Sequence, residues 1–284
     1  MAAAVPTIQN FSTVILGEHH YLDDNARFLC DHLDILFALD YRHIGLELPQ
    51  DAEKCTEEDY QIAKSLFSIL GEEEYTKIHT ACFDKLRHDG RYASMTLFKE
   101  KIISSTEPRL IETIKLLASN PELSRIAYEN FMSYRNLRYQ LHLIRLGRAK
   151  GFEITLLGVG EKEMKCSIDK RIRITQWNLE RLVDADLPGK KIISTGAWHA
   201  AKFIGKEGVT PCIFPRVYDE LKSVLDVGSL LKFSVHQLLL ELHFSISTDA
   251  HPPLGPFLSH KERKLLKKGL DDARREDLRM FEVD

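Results

Sequence analysis

Two histidines of the chain lie in the same short motif, Gly-x-x-His. His20 ends the motif at residues 17–20, directly after an apolar run, and His199 ends the motif at residues 196–199, directly after another. Each run has the length of a short buried strand. In a parallel sheet the carboxyl ends of the strands share one edge, where α/β folds place ligands and chemistry. The two motifs therefore predict one site built from distant parts of the sequence.

Histidine suits such a site because its ordinary pKa lies near neutrality, so the ring can act as a general base or as a metal ligand. The alternative for His20 is a structural polar residue at a strand end. The alternative for His199 is a histidine at a helix start, packed on Trp198. His19 is the weaker candidate because it points away from His20 if the strand continues, and Gly17 allows a tight exit from the strand.

Glu18 and Glu47 add two carboxylates at the ends of predicted neighbouring strands. Glu47 interrupts an apolar run between Leu46 and Leu48. A buried carboxylate is costly unless it is paired or binds a cation. The alternative for Glu47 is an ion pair with an arginine in the core. That arginine would then lie in the region of the predicted site.

Arg135 lies near the border of the apolar face of a long predicted helix, at about residues 121–150. Its planar guanidinium can clamp a carboxylate or stabilise an oxyanion. The helix pattern alone favours the alternative, a solvated arginine.

The elements that must position these residues are strands alternating with helices. Residues 24–39 have helical spacing between the first two strands, which gives the length of a right-handed βαβ crossover. Pro211 restricts the last strand to the edge of the sheet. The predicted strands are 13–20, 43–49, 153–160, 192–195 and 209–215. These patterns predict an α/β fold with a central, mostly parallel sheet flanked by helices.

Two further segments interrupt or extend that pattern. Residues 51–125 are helical by pattern and too long for a simple crossover, which predicts an inserted helical cap over the cleft. Residues 216–284 form a C-terminal extension of uncertain structure. We predict a single α/β domain over residues 1–284 that includes both segments.

Composition restricts the classes of partner. The formal net charge of -3 gives no electrostatic case for nucleic acid, and no apolar stretch approaches the ~20 residues that cross a bilayer. The 5 scattered cysteines contain no C-x-x-C pair, which is typical of a reducing compartment. The N-terminus lacks the features of a secretory signal, so we expect a cytoplasmic protein or one exported without a cleavable signal peptide. The sequence contains no P-loop, nucleophile elbow or H-E-x-x-H motif.

Taken together, these residues resemble the erythromycin esterase-like, ChaN-like and TraB–Tiki superfamily. That group is marked by a strand ending in Gly-Glu-x-His, a second strand ending in a glutamate, an arginine on a later helix, and a second Gly-x-x-His. The matching elements here are residues 17–20, Glu47, Arg135 and residues 196–199, in the same order. The resemblance covers about residues 13–215. It implies a central sheet with helices around it and a cleft that collects the four elements.

The resemblance also implies a set of functions. Some members hydrolyse esters with a histidine base, some look like metal-dependent proteases, and some bind haem without known catalysis. Our first hypothesis is a hydrolase of a small-molecule or peptide substrate. His20 would activate water, Glu18 or Glu47 would orient it, and Arg135 with His199 would stabilise the oxyanion. In a metal-assisted version, His20, Glu47 and His199 would bind a divalent metal and leave one position open for water.

Two alternatives belong to other classes. The first is a non-catalytic protein that binds haem or another ligand in the same cleft through a histidine or a tyrosine, Tyr134 or Tyr21. The second is an effector-like protein that binds a partner protein through the helical cap. Fold kinship does not choose among these functions.

Overall fold

The central element of the fold is a five-stranded sheet in which every pair of neighbouring strands is parallel. The computed structural model describes residues 11–52, 61–103, 120–203 and 206–213. The strands are β1 (Thr13–Glu18), β2 (Tyr41–Leu46), β3 (Glu153–Leu156), β4 (Lys190–Gly196) and β5 (Val209–Ile213), in the spatial order β3-β2-β4-β1-β5. The helices are α1 (Asp24–Ala38), α2 (Gln61–Ile103), α3 (Pro121–Ala149), α4 (Glu161–Met164), α5 (Ile168–Asp184) and α6 (Ala197–Ala201). The predicted α/β fold is confirmed.

The central strands are buried on both faces, as expected for a parallel sheet covered by helices. Because side chains alternate along a strand, Val14 and Leu16 of β1 enter one core while Ile15 enters the other. The first core contains residues of α1 and α3, and the second contains residues of α5 and α6. This arrangement explains why the strands appear in the sequence as continuous apolar runs.

Helix α3 joins the two parts of the molecule. It begins after Asn120, whose side chain accepts a hydrogen bond from the backbone N–H of Leu123, and Pro121 occupies its first turn. Its N-terminal half, with Tyr128 and Phe131, packs against α2. Its C-terminal half, with Ile144, packs against the sheet and α1. The residues between the two halves include Arg135.

The described part of the inserted segment is helical. Helix α2 is broken at Gly71 and Gly90, where φ is 75° and 84°, values that favour glycine. Its apolar side chains pack with those of α3, and the ring of Phe83 meets the ring of His19 edge-on at a centroid distance of 6.0 Å. The insertion therefore lies beside the segment that carries His20. Its role as a roof over the cleft stays a prediction, because residues 53–60 and 104–119 lie outside the described ranges.

The predicted edge position of the last strand agrees with the structure. Pro211 lies in β5, and in the described ranges β5 pairs with β1 on one side and with no strand on the other. The predicted extension at residues 216–284 lies outside the described residues, so the single domain over the whole chain stays a prediction. None of the helices in the described ranges is long and apolar enough to cross a membrane.

Candidate active site

The three central strands end together at one edge of the sheet. In the strand register, Glu18 at the end of β1 is opposite Gly196 at the end of β4, and Leu46 at the end of β2 is opposite Ser194. The backbone N–H of Glu47 continues this pairing and donates to the carbonyl of Ser194 at 3.0 Å. Side chains carried by the ends of all three strands therefore meet at the carboxyl edge.

Glu47 lies at the centre of this cluster. Its Oε2 atom accepts hydrogen bonds from Thr195 Oγ1 at 2.6 Å and from the backbone N–H of Gly196 at 2.5 Å. Its Oε1 atom faces His199 Nε2 at 3.6 Å and His20 Nε2 at 3.9 Å. Burial opposes the charged carboxylate, but the two rings and the two hydrogen bonds outweigh it and lower the pKa of Glu47. Glu47 is thus held as an anion with one oxygen turned to both histidines.

The ring of His20 lies between two carboxylates. Its Nδ1 atom is 3.2 Å from Glu18 Oε1, and its Nε2 atom faces Glu47. The surrounding protein partly desolvates the ring and opposes its charge. The hydrogen bond to Glu18 and the charges of Glu47 and Glu18 nevertheless raise the pKa of His20 to about 9. His20 is therefore a cation at neutral pH, although 57% of its side chain is exposed.

Glu18 is held in place by buried polar side chains. Only 3% of its side chain is exposed. Ser194 Oγ donates to Glu18 Oε2 at 2.6 Å, and Gln140 Nε2 donates to Glu18 Oε1 at 3.4 Å. The Asn25 amide in turn donates to Ser194 Oγ at 3.1 Å. This network fixes the carboxylate that orients His20.

His199 has a different environment from His20. Its Nδ1 atom is 2.7 Å from Gln176 Oε1, and its Nε2 atom faces Glu47. Burial lowers the pKa of His199, and the positive charges of His20 and Lys202 add to this effect, while Glu47 and Glu180 oppose it. The site therefore combines a protonated histidine, a neutral histidine and a carboxylate between them.

Arg135 does not contact this cluster. Its Nη2 atom is 3.2 Å from Asp23 Oδ2, and its Nη1 atom donates to Thr76 Oγ1 at 3.2 Å. The neighbouring residue Asn136 does reach the site, because its amide donates to the carbonyl oxygen of His20 at 3.3 Å. Four of the five predicted residues thus come together, and the oxyanion role of Arg135 stays a prediction.

Sequence reasoning missed the polar residues that orient the site. Ser194 and Thr195 are a visible signal, because they interrupt the apolar run of a central strand just before Gly196. Asn136 and Gln140 lie four residues apart and are both buried on α3, so they share one helix face. Nothing in the local sequence indicates that Gln176 on α5 meets His199.

The predicted metal ligands are Glu47 and the two histidines that its Oε1 atom faces, His20 and His199. Within residues 11–52, 61–103, 120–203 and 206–213, however, no group of three or more His, Cys, Asp or Glu side chains has an arrangement that could hold a metal ion. The metal-assisted version gains no support from this geometry, and it stays a prediction, as does the haem alternative.

Gly196 is required for the close approach of the site residues. A Cβ atom at this position would lie 3.3 Å from His20 Nε2 and 3.4 Å from Glu47 Oε2. Because both contacts are tight, we expect Gly196→Ala to displace the two side chains by a few tenths of an ångström. A small displacement in an active site can reduce the rate by up to about 10²-fold.

The measurement is kcat/KM for Gly196→Ala, together with a thermal melt. The backbone φ of Gly196 is -52°, which alanine adopts without strain, so the melt should stay close to that of the wild type. Full activity in Gly196→Ala would show that the approach of His20 to Glu47 does not matter for function.

Comparisons of this chain with protein-family models, with curated proteins and with solved structures found no match. The superfamily resemblance accordingly depends on the residues at 17–20, 47, 135 and 196–199 and stays a prediction.

Proposed function

We propose that the protein is a hydrolase of the erythromycin esterase and Tiki-like type that activates water with a histidine and acts on a small-molecule or peptide substrate. The observation that carries the proposal is the position of Glu47 Oε1, which faces the Nε2 atoms of His20 and His199 at 3.9 and 3.6 Å. A carboxylate between two histidines at the carboxyl edge of a parallel sheet is a suitable arrangement for acid–base chemistry.

The two histidines differ in charge, and this difference supports different roles. Both nitrogens of His20 face carboxylates, an arrangement that favours the doubly protonated ring. His199 faces one carboxylate and one neutral amide, and burial lowers its pKa. We therefore assign water activation to His199 and charge stabilisation to His20, which exchanges the roles that the sequence predicted for them.

The proposed step is attack of water on the carbonyl carbon of an ester or amide. As the new carbon–oxygen bond forms, the water proton moves to His199 Nε2 and the carbonyl oxygen becomes an oxyanion. The positive ring of His20 stabilises that developing charge. When the tetrahedral intermediate collapses, the bond to the leaving group breaks and the leaving group takes the proton from His199. The carboxylate of Glu47 stabilises the positive charge of His20 throughout, and that of His199 once its ring has accepted the proton.

The polar network around Glu18 supports this step because it keeps His20 in place before substrate binds. Ser194, Gln140 and Asn25 are buried, so their hydrogen bonds to and near Glu18 are sheltered from water. Groups that are already oriented need no rearrangement as the transition state forms.

The experiment is a panel of small esters and short peptides, assayed with the purified full chain by acid release in a pH-stat. Glu47→Gln is prepared in parallel, so that activity from a contaminating enzyme is recognised as activity shared by both samples. Hydrolysis by the wild type and none by Glu47→Gln supports the proposal. No turnover across the panel, with a new absorbance band on addition of haem, would favour the ligand-binding alternative. Metal analysis of the active sample tests the metal-assisted version.

The charge assignment predicts the pH dependence of kcat/KM. Because His199 must be neutral, the rate should rise as pH increases through its pKa, which lies below the ordinary value of 6.5. Because His20 must be protonated, the rate should fall as pH increases through about 9. We therefore expect an active window whose acid limit lies below pH 6.5 and whose alkaline limit lies near pH 9, measured by kcat/KM and by an NMR titration of both rings.

Added salt provides the control for this window. The exposed ring of His20 is accessible to ions, so salt should screen Glu18 and Glu47 and move the alkaline limb to lower pH. The acid limb belongs to a buried ring and should move less. A rate that already falls between pH 6 and 7 would contradict the assignment of His20 as the cation.

A further inference from the structure

We propose that Gln176 is a positioning residue that holds His199 with its proton on Nδ1, so that the lone pair of the neutral ring is on Nε2, the nitrogen that faces Glu47. The catalytic meaning of this inference rests on the proposed function, but the protonation pattern itself does not. Gln176 lies on α5, on the opposite side of His199 from Glu47.

The orientation of the Gln176 amide is determined by a second partner. Its Nε2 atom donates to Glu180 Oε1 at 2.8 Å, and a carboxylate oxygen can only accept. The amide oxygen of Gln176 must therefore be the atom that faces His199 Nδ1, at 2.7 Å. Since an amide oxygen also only accepts, the ring nitrogen must carry the proton and donate it.

Burial makes the other tautomer of His199 unfavourable. Gln176 is 6% exposed and His199 is 9% exposed, so water cannot replace a lost hydrogen bond between them. With the proton on Nε2, the lone pair of Nδ1 would face the lone pairs of Gln176 Oε1. A buried polar pair left without a hydrogen bond is strongly unfavourable, because neither group regains the hydrogen bond that it makes in water. Flipping the amide does not help, because its oxygen would then face Glu180.

The consequence lies at the other ring nitrogen. In the neutral ring held by Gln176, Nε2 has no proton and its lone pair is on the side of the ring that faces Glu47. The distance from Nε2 to Glu47 Oε1 is 3.6 Å, which is longer than a hydrogen bond. The carboxylate of Glu47 has no proton to donate to this lone pair. Nε2 of His199 is therefore free to accept a proton from water.

The test is a long-range proton–nitrogen NMR spectrum of the nitrogen-15-labelled full chain, recorded at a pH where His199 is neutral. The nitrogen shifts show directly which ring nitrogen carries the proton, and the His199→Gln spectrum assigns the signals. We expect protonated Nδ1 and unprotonated Nε2 in the wild type. Gln176→Leu removes the acceptor, so the proton should move at least partly to Nε2, where it can interact with Glu47.

Two further variants separate positioning from packing. The double variant Gln176→Glu, Glu180→Gln retains an acceptor for Nδ1–H without bringing two carboxylates together, because the new amide at position 180 can donate. It should restore the wild-type tautomer, while the carboxylate beside the ring moves the acid limb of the rate profile to higher pH. Asn178→Ala removes another amide from α5, one that donates to the carbonyl of Leu157, and should leave the His199 signals unchanged. On a substrate from the panel, Gln176→Leu should reduce kcat/KM by about 10- to 100-fold, the effect typical of losing a partner that orients a functional histidine.

The outcomes of this test separate the inference from the proposed function. A proton on Nε2 of the wild type, or an unchanged tautomer in Gln176→Leu, overturns the inference even if the wild type is an active hydrolase. A tautomer that changes in Gln176→Leu and returns in the double variant Gln176→Glu, Glu180→Gln supports the inference, even if no substrate is hydrolysed and the proposed function fails. If Gln176→Leu does not fold, Gln176→Met tests the same point with an unbranched side chain of similar length that lacks the amide acceptor, and a tautomer unchanged there overturns the inference.

Discussion

Glu47→Gln is expected to abolish hydrolysis, with a loss of kcat/KM of about 10²–10⁴-fold, the range for removal of acid–base catalysis. Oε2 of Glu47 accepts two hydrogen bonds, from Thr195 and Gly196, so the amide oxygen of glutamine must take that position. The amide NH₂ group would then face His20 and His199 in place of Oε1. There it donates to the lone pair of His199 and no longer stabilises the positive charge of His20.

Two measurements check this prediction. The first is kcat/KM on a substrate found in the panel. The second is the NMR titration of His20, whose pKa should fall from about 9 toward the ordinary value of 6.5 once the charge of Glu47 is removed. The control is Glu74→Gln, which changes an exposed glutamate on α2. Turnover retained by Glu47→Gln, with His20 still titrating near 9, would remove Glu47 from the proposed mechanism.

His20→Ala is expected to reduce turnover by about 10²–10³-fold, the range for loss of a group that stabilises an oxyanion, while the protein stays folded. The ring carries the positive charge that stabilises the oxyanion, yet 57% of its side chain is exposed and it is not part of a core cluster. Its removal should therefore cost much less than the ~2–5 kcal/mol of a core deletion. Glu18 keeps its hydrogen bonds to Ser194 and Gln140 in the variant.

The measurement pairs kcat/KM with the free energy of unfolding in urea. His88→Ala provides the control, because it removes an exposed histidine from α2. The double variant His20→Ala, Glu47→Gln should lose no more activity than the worse single variant, since the two residues act as one unit. The mechanism is contradicted if His20→Ala keeps full turnover. A collapse of stability would instead identify His20 as a structural histidine.

The histidines and glutamates of the site could be predicted from the sequence because each follows a local pattern. The Gly-x-x-His motifs that contain His20 and His199 come directly after apolar runs, and Glu47 lies near the end of a third run. Such runs form buried strands whose carboxyl ends share one edge. Pro211 likewise indicated an edge strand, because proline lacks the N–H that a central strand needs. These features depend on neighbouring residues in the chain, so no knowledge of distant contacts was required.

Other features of the site depend on contacts between segments far apart in the sequence. Strand β4 lies between β1 and β2, and helices pack on both faces of the sheet. The sequence of a single strand does not determine this order, because it depends on how the helices pack. Arg135 pairs with Asp23 because α3 crosses the segment after β1 at that point. The exchange of roles between His20 and His199 has the same origin. The two Gly-x-x-His motifs carry rings of opposite pKa shift. The ring of His20 faces two carboxylates, which raise its pKa, whereas the ring of His199 faces only one and burial lowers its pKa. Such distances and burial arise only in the folded chain.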